Sequence, residues 1–347
     1  MPDQQTAAPT PDHEDIVRAL YRGFLGREPD APGLRHWSAM LAAGGDAGAL
    51  LRAITHSEEY LRGDAERAAH RQAQQAVAAR AQALLRERPL SIVDIGAQEL
   101  EGEQHVYAPL VQYGLPYQVI GFEPLEEKLQ DRQLQDGDKV KLYPDFIGDG
   151  RRHLFHINAP DATSSLLPLN QALNGELVDL SQLRTEKTVE VATSRLDEVL
   201  ADGGPVDFLK LDIQGFELPA LQHAGAVLAR TNVVHCEVSF AQIYQGQALF
   251  SEVETLLRAH GFYFLDFSST CRYAYHCGSG STSRDRLGWG DAVFFRHADL
   301  LGDARDLLAQ VAIALLVYDK HSLAESLAAR YDALAGTDLA SLFGAAP

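Results

Sequence analysis

Apolar and polar residues follow two different periods along this chain of 347 residues, and the change of period divides the chain. Between residues 14 and 62, apolar residues such as Val17 and Leu20 recur every three or four positions, which predicts short amphipathic helices. Asp30 precedes the second of these helices and is expected to cap it. Residues 64–88 are rich in Ala, Gln and Arg and contain no Gly or Pro, so they predict a connecting helix after this helical module.

From residue 89 to 297, short runs of β-branched and aromatic residues alternate with helical patterns. This alternation is typical of an α/β domain in which helices cover a parallel sheet. The predicted strands are Ser91–Ile95, Gln118–Glu123, Val140–Pro144, Val206–Asp212, Val233–Ser239, Tyr263–Phe267 and Ala292–Arg296. Residues 298–347 return to helical spacing and are expected to form a C-terminal helical tail.

The composition narrows the classes of protein to which the chain can belong. Hydrophobic residues make up 46% of it, which is sufficient for packed cores. The formal net charge of −18 repels a phosphate backbone, so no nucleic acid partner is expected. Residues 1–12 lack the basic and apolar segments of a secretory signal, and no apolar run is long enough to span a membrane. We therefore expect a cytoplasmic protein.

The ends of the first two predicted strands carry residues suited to an adenosine-containing cofactor. The first strand ends in Asp94-Ile-Gly96, and Gly96 allows a sharp turn close to a ligand. The second ends at Glu123, whose carboxylate can accept hydrogen bonds from both hydroxyls of a ribose. The next glycine after Gly96 is Gly102, so the glycine-rich fingerprint for a pyrophosphate is missing. These residues favour S-adenosylmethionine, which has no phosphate, over a nicotinamide dinucleotide.

The third predicted strand leads into the sequence YPDFIGDG, residues 143–150. In this architecture the loop borders the adenine, with Asp145 as acceptor for its amino group and Phe146 or Ile147 against the ring. The alternative is an ordinary turn built on the Asp-Gly pair at its end.

The fourth predicted strand carries the strongest chemical pattern, VDFLKLDIQGFEL. Lys210 and Asp212 alternate with apolar residues, and Gln214 and Glu217 follow in the turn and next helix. Glu237 ends the neighbouring fifth strand. Such groups are costly at a sheet edge unless they pair or meet a ligand, so the alternatives are a buried ion network and a reaction site. Two further residues of the fifth strand, His235 and Cys236, are expected to serve packing.

At these motifs the chain resembles the FkbM family of S-adenosylmethionine-dependent methyltransferases. The matching elements between Ile92 and Arg296 are VDIGA, GFEP, IGDG, TSSLL, SRLDEVL, VDFLKLDIQGFELPALQHAG, EVSFAQIYQGQALFSEVETLLRAHGF and GDAVFFR. The resemblance implies a class I methyltransferase fold, with a Rossmann-like seven-stranded sheet and an antiparallel last strand. It also implies methylation of a hydroxyl, as on a sugar, a glycan or a polyketide-like product.

The resemblance, together with the positions of residues at the predicted strand ends, assigns roles on both sides of the expected site. The residues expected to hold the cofactor, including those of the adenine loop, are Asp94, Gly96, Ala97, Gln98, Glu123, Asp145, Phe146 and Ile147. Those expected on the reaction side are Lys210, Asp212, Gln214, Glu217, Glu237 and, near the substrate entrance, Tyr244. For Tyr244 the alternative is that it only braces the loop. The chain departs from the family at Gln98, where an Asn is usual, and at Leu100, where a Gly is usual. Either the loop is formed differently, with Gly102 serving instead, or the affinity for the cofactor is reduced.

The expected chemistry is methyl transfer to a hydroxyl of a small molecule or glycan. Asp212 or Glu237 is expected to take the proton of that hydroxyl, and Lys210 to stabilise the developing alkoxide or orient the acid. No metal is expected; the alternative is a divalent cation held by Asp212 and Glu237, a thin ligand set. The rival functions are a binding or scaffold protein with a degenerate methyltransferase fold and an NAD-dependent sugar-modifying enzyme.

The N-terminal stretch LYRGFLGREPDAPGLRHWSAML…SEEYL resembles a small helical module of unknown function found in bacterial surface-related proteins. We interpret this module, residues 14–62, as an adaptor for a protein partner.

Overall fold

The computed structural model describes residues 12–96, 104–124, 139–278, 281 and 283–343. The chain forms two compact units. The first comprises the residues up to Ala73 together with the last residues from Phe343, and the second extends from Gln74 to Leu342. Each unit has a hydrophobic core of its own.

The first unit consists of amphipathic helices. They are α1 (His13–Leu25), α2 (Ala31–Ala42), α3 (Ala47–Thr55) and the first part of α4 (Glu58–Leu84), which continues into the second unit. Their apolar faces meet around Val17 and Leu50, which are both fully buried. Asp30 caps α2 as predicted, because its side chain accepts a hydrogen bond of 2.9 Å from the amide of Gly33. Since α4 is continuous, no loop separates the predicted module from the predicted connecting helix.

The second unit contains the strands and the remaining helices. Its described strands are β1 (Leu90–Ile95), β2 (Tyr117–Phe122), β3 (Val140–Tyr143), β4 (Phe146–Ile147), β5 (Arg152–Ala159), β6 (Arg184–Ser194), β7 (Val206–Leu211), β8 (Thr231–Ser239), β9 (Phe262–Tyr273) and β10 (Arg286–Arg296). Its helices after α4 are α5 (Ala108–Gln112), α6 (Gln171–Asn174), α7 (Leu196–Val199), α8 (Glu217–Gln222), α9 (Gly225–Leu228), α10 (Phe250–Ala259), α11 (Ala304–Ala312) and α12 (His321–Ala335). Short 3₁₀ or π turns occur at Asp161–Thr163, Ala298–Leu300, Ile313–Val317 and Leu339–Phe343.

Seven strands form the main sheet, in the order β3-β2-β1-β7-β8-β10-β9. The neighbours from β3 to β8 pair in parallel, whereas β10 runs antiparallel to both β8 and β9. The prediction of a seven-stranded sheet with an antiparallel last strand is therefore confirmed, together with the N-terminal and C-terminal helices. The last two strands are longer than predicted because their outer halves pair with each other.

Helices cover both faces of the main sheet, as expected for parallel strands. On one face, side chains such as Val93, Leu209 and Val234 pack in one core with residues of α8, α9 and α10. On the other face the ring of Phe208 contacts Tyr107, which precedes α5, and Tyr318, which follows the turn after α11. The C-terminal segment thus lies on the sheet, and within the described residues no helix is both long and apolar enough to cross a membrane.

A smaller sheet, which the sequence did not predict, has the order β4-β6-β5. β5 and β6 pair antiparallel along almost their whole length, and β4 adds a short parallel pair. Most residues of β6 are exposed, so it lacks the buried apolar face by which strands are recognised in a sequence.

The register of the main sheet places three polar residues of its central strands in one row, namely Asp94, Lys210 and His235. Asp94 on β1 pairs with Gly121 on β2 and with Lys210 on β7, and Lys210 pairs with His235 on β8. Because these strands are parallel, their carboxyl ends open on the same edge of the sheet, where ligands of open α/β sheets bind.

Candidate functional site

A cavity of about 300 Å³ lies at this edge, and its volume is at the lower end for small-molecule sites. The predicted site residues in its lining are Asp94, Gly96, Glu123, Asp145, Phe146, Ile147, Lys210, Asp212 and Gln214. The predicted residues Glu217, Glu237 and Tyr244 are buried and do not belong to this lining. Ala97, Gln98 and Leu100 lie outside the described residues. We call the ends of β1 and β2 with residues 145–147 the cofactor side, and residues 210–217 the reaction side.

On the cofactor side, the end of β1 fits tightly against the end of β7. Gly96 has a φ of 76°, in the left-handed region that favours glycine. A Cβ atom at this position would lie 1.8 Å from the carbonyl oxygen of Asp212. Any other residue would therefore push the cofactor side and the reaction side apart.

Asp94 is fully buried beneath the cavity. Its Oδ2 accepts a hydrogen bond of 2.9 Å from the Tyr107 hydroxyl and lies 3.6 Å from Nδ1 of His105. The rings of Tyr107 and His105 stack in parallel planes, with their centroids 5.0 Å apart. Both residues also line the cavity. The sequence reasoning missed them, because no pattern connects the segment before α5 to the end of β1.

Glu123 follows β2 directly and is 4% exposed. Its backbone amide donates a hydrogen bond of 3.0 Å to the carbonyl of Tyr143, which continues the pairing of β2 with β3 to the edge of the cavity. Glu123 is thus placed at the end of a strand whose position is fixed by its pairing.

The loop of residues 143–150 lies at the edge of the cavity. Phe146 and Ile147 form β4 and face the cavity, while the chain turns into β5 after them. Asp145 accepts a hydrogen bond of 2.8 Å from the Ser194 hydroxyl. The ring of Phe146 meets that of Phe155, also in the lining, edge to face at 5.0 Å. This part of the cofactor side is therefore an apolar aromatic wall with one carboxylate at its start.

Lys210 joins the two sides. Its Nζ donates a hydrogen bond of 2.7 Å to the carbonyl of Gly96 and lies 3.5 Å from Oδ1 of Asp94 and 3.7 Å from Oδ2 of Asp212. A mostly buried ammonium between two carboxylates offsets their mutual repulsion. Lys210 thereby holds Asp212 at the cavity in a fixed relation to the end of β1.

Gln214 orients Asp212 from the other direction. Its Nε2 donates a hydrogen bond of 2.9 Å to Oδ1 of Asp212, and its Oε1 lies 3.0 Å from the hydroxyl of Tyr244. Its backbone has a φ of 53°, and its carbonyl accepts a hydrogen bond of 2.6 Å from Ser165. Tyr244 is therefore a buried support of Gln214, at a distance from the cavity itself.

Glu217 supports the same loop from inside the protein. Its Oε1 accepts hydrogen bonds of 2.9 Å from the amide of Ile213 and 3.1 Å from that of Gly215. Burial raises the pKa of Glu217 from 4.5 to about 7, although these backbone hydrogen bonds oppose the rise. Glu217 thus fixes the turn that carries Asp212 and Gln214.

Glu237 lies on β8 and is nearly as buried as Glu217. Burial raises its pKa well above the usual range, and the carboxylates of Asp212, Glu217 and Asp291 raise it further, while Lys210 opposes them. Burial and the neighbouring acids thus favour the protonated form of Glu237, which makes it a poorer proton acceptor than a carboxyl group with an ordinary pKa. Asp212, with 37% of its side chain exposed, is better placed than Glu237 to accept a proton from a molecule in the cavity.

The cavity also contains His235 and Asp291. His235 is buried, as the packing interpretation expected, but one edge of it lines the cavity. Asp291 lies on β10, opposite Glu237 in the register. Sequence reasoning missed Asp291 because it falls in the part of β10 that has no apolar run.

Among the described residues, no group of three or more His, Cys, Asp or Glu side chains is arranged to hold a metal ion.

Comparison with known proteins identifies two segments. Residues 94–264 match the family model described as the methyltransferase FkbM domain. Residues 4–63 match a model described as a domain of unknown function, DUF4214. Both resemblances stated from the sequence are thus confirmed. No match was found among curated proteins.

Solved structures similar to this chain include several methyltransferases. One is magnesium protoporphyrin IX methyltransferase from Synechocystis PCC 6803 with bound SAM, at 16% identity, covering 84% of this chain and 100% of that one with a TM-score of 0.31. A TehB-like SAM-dependent methyltransferase from Corynebacterium glutamicum is 11% identical over 76% of this chain and 95% of its own, with a TM-score of 0.30. The N-terminal domain of EvdMO1 with SAH bound is 11% identical over 64% and 83%, with a TM-score of 0.30.

Proposed function

Because residues 94–264 of this chain belong to the family of FkbM methyltransferase domains, we propose that the protein transfers a methyl group from S-adenosylmethionine to a hydroxyl of a sugar, glycan or polyketide-like acceptor. The observation that carries the proposal is Asp212, a partly exposed carboxylate held at the cavity by Lys210 and Gln214. Its strand, β7, adjoins β1, so the reaction side lies directly beside the cofactor side.

The residues of the cofactor side fit S-adenosylmethionine. Glu123 has the acceptor oxygens for ribose hydroxyls, and Phe146 and Ile147 give an apolar surface for an adenine ring. The carboxylate of Asp94 favours a cationic ligand and disfavours a pyrophosphate. When bound, S-adenosylmethionine supplies an electrophilic methyl group on a positively charged sulfur.

The chain's own residues then position and deprotonate the acceptor. Asp212 accepts the proton of the acceptor hydroxyl, since it lines the cavity and is partly exposed, whereas Glu237 is buried and its pKa is raised. Gln214 fixes one oxygen of Asp212 and Lys210 lies near the other, so the carboxylate has little freedom to turn away. Holding the acceptor oxygen in line with the methyl group accounts for much of the expected acceleration.

Calorimetry with S-adenosylmethionine, S-adenosylhomocysteine and NAD tests the cofactor. We expect the two sulfur compounds to bind and NAD not to bind. Glu123→Gln is expected to weaken their binding about 10-fold, because it loses a charge-assisted hydrogen bond to the ribose. Glu190→Gln, at an exposed position of β6, is the matched control and should bind as the wild type does.

Transfer of a labelled methyl group to sugar nucleotides and cell-surface glycans tests the acceptor. Failure of both sulfur compounds to bind would exclude the proposed function, and binding without transfer to any hydroxyl would favour the scaffold protein.

A further inference from the structure

His235 and Asp291 face the cavity from adjacent antiparallel strands, β8 and β10. Nε2 of His235 lies 3.8 Å from Oδ1 of Asp291. This separation is too long for a direct hydrogen bond. It leaves room for one oxygen atom at about 2.8 Å from each of the two atoms.

The other nitrogen of His235 is held by the C-terminal segment. Nδ1 lies 3.0 Å from the hydroxyl of Tyr318, and the two rings are nearly parallel, at 13°. Burial raises the pKa of Tyr318 well above its usual value, so its hydroxyl keeps its proton and can donate to Nδ1. Burial also lowers the pKa of His235, so the ring is neutral. With Nδ1 as acceptor, the hydrogen of the neutral ring lies on Nε2.

Asp291 is held from the opposite side. Its Oδ2 accepts a hydrogen bond of 2.6 Å from the hydroxyl of Ser269 on β9. This leaves Oδ1 directed towards His235 as an acceptor. The pair therefore presents one donor and one acceptor, and a hydroxyl group, which both donates and accepts, matches it. A phosphate or carboxylate, which only accepts, would meet the charge of Asp291.

We propose that His235 and Asp291 form a subsite for one hydroxyl group of the acceptor, with Tyr318 and Ser269 as positioning residues. The hydroxyl oxygen accepts from Nε2 of His235, and its hydrogen is donated to Oδ1 of Asp291. The proposal rests on the proposed function and deepens it by naming the acceptor as a polyhydroxylated ring. His235 pairs with Lys210, and neighbouring strands are about 4.8 Å apart, which suits two hydroxyls of one ring. One hydroxyl reacts at Asp212 and the second is held here.

The tautomer of His235 is tested without cofactor or acceptor. In ¹H–¹⁵N spectra of the full chain with labelled histidine imidazoles, His235 is assigned by the signals that disappear in His235→Gln. We expect the pattern of a neutral ring protonated at Nε2 at pH 7, and a loss of this preference in Tyr318→Phe. Tyr263→Phe, at a half-buried tyrosine outside the cavity lining, should leave the pattern unchanged. A wild-type ring protonated at Nδ1, or at both nitrogens, would overturn the proposal.

The subsite itself is tested by binding of methyl glycosides of glucose, galactose and mannose and of their monodeoxy analogues, measured by saturation-transfer NMR in the presence of S-adenosylhomocysteine. In the wild type, removal of one particular hydroxyl is expected to weaken binding about 10- to 100-fold. In His235→Leu, binding of the intact glycoside should be weakened to the same degree. Removal of that hydroxyl from the glycoside should then weaken binding no further. His235→Gln, which keeps a donor near Nε2, should recover part of the loss. His223→Asn, outside the cavity lining, is the control.

The outcomes separate this subsite from the proposed function. If His235→Leu weakens the binding of every deoxy analogue equally, or if no glycoside binds to the wild type, the proposed subsite is refuted, even if S-adenosylmethionine binds. If the deoxy effect and the tautomer are as expected but S-adenosylmethionine does not bind, the subsite stands and the proposed methyl transfer fails.

Discussion

The cofactor side and the reaction side of the cavity differ in how their side chains are held. On the reaction side, Asp212 and Gln214 belong to a single turn, and that turn is supported from behind by Glu217 and Tyr244. On the cofactor side, Asp94, Glu123 and the residues 145–147 come from separate segments. Each of these is held by its own strand or a local neighbour. The reaction side is thus one local, braced unit, whereas the cofactor side is assembled from distant parts of the chain.

This difference implies that the two sides respond differently to mutation. A change within the reaction turn should affect turnover and leave cofactor binding intact, because the cofactor side is held independently. The exceptions are the contacts of Gly96 with Asp212 and Lys210 and of Lys210 with Asp94, where the two sides meet. A substitution in the reaction turn tests whether the two sides are independent, and a substitution at Gly96 tests the contact between them.

The largest effect is expected for Asp212→Asn. The amide keeps the shape and can still accept from Gln214, but it cannot take a proton, so turnover should fall about 10²- to 10⁴-fold. Calorimetry should show unchanged affinity for S-adenosylmethionine. Asp202→Asn, at an exposed turn, is the matched control and should retain full turnover. Equal loss of turnover and cofactor affinity in Asp212→Asn would show that the two sides are not separable.

Gly96→Ala is expected to have a smaller effect on turnover, combined with a loss of stability and of cofactor binding. The new Cβ would overlap the carbonyl oxygen of Asp212, and the positive φ adds strain, so the free energy of unfolding should fall by about 3 kcal/mol. Cofactor binding and turnover should decrease together, because both sides must shift. Thermal and urea unfolding measure the first effect, and calorimetry with a transfer assay measures the second.

Gly203→Ala is the control that separates the effect of atomic overlap from the effect of a positive φ. Gly203 has nearly the same φ, 75°, but a Cβ there meets only a carbonyl oxygen at 3.8 Å. It should therefore lose only about 1 kcal/mol of stability. If the two alanine variants were equally stable, the close fit between the two sides would be refuted.

The same difference explains which parts of the molecule could be predicted from the sequence. The strands β1, β7 and β8 of the main sheet are buried runs with polar residues towards their ends, and the reaction turn follows β7 without interruption. The outer halves of β9 and β10 contain Ser, Thr, Arg and Gly, and they are strands because they pair with each other and, in part of β10, with β8. The smaller sheet is likewise held by pairing between distant, mostly exposed segments.

Prediction of the site from the sequence meets the same limit, because residues from distant segments cannot be grouped. Lys210, Asp212 and Gln214 could be grouped because they lie in one short run of sequence. His235 was interpreted as packing, since its partners Asp291 and Tyr318 come from much later in the chain. No periodicity connects these positions, so only the fold brings them to the cavity. Glu217 and Tyr244 were predicted to lie near the reaction side. The structure shows that both contact its turn from within the protein, which for Glu217 no sequence pattern indicated.

A pH-dependent effect on stability, without a loss of turnover, tests whether the reaction turn is held from inside by a carboxyl group. Burial raises the pKa of Glu217 from 4.5 to about 7, so the folded protein favours the protonated acid. The unfolded chain releases this proton at lower pH, and the stability contributed by Glu217 is therefore lost as the pH rises from about 4.5 through about 7. Glu217→Gln keeps an oxygen for the amides of Ile213 and Gly215 but cannot ionise. Urea unfolding should find the two proteins about equally stable at pH 5 and the variant more stable by about 2 kcal/mol at pH 8. Parallel pH dependence of the two proteins would mean that the turn is held by an ionised Glu217, and the reaction side would then depend on charge where we expect neutral hydrogen bonds.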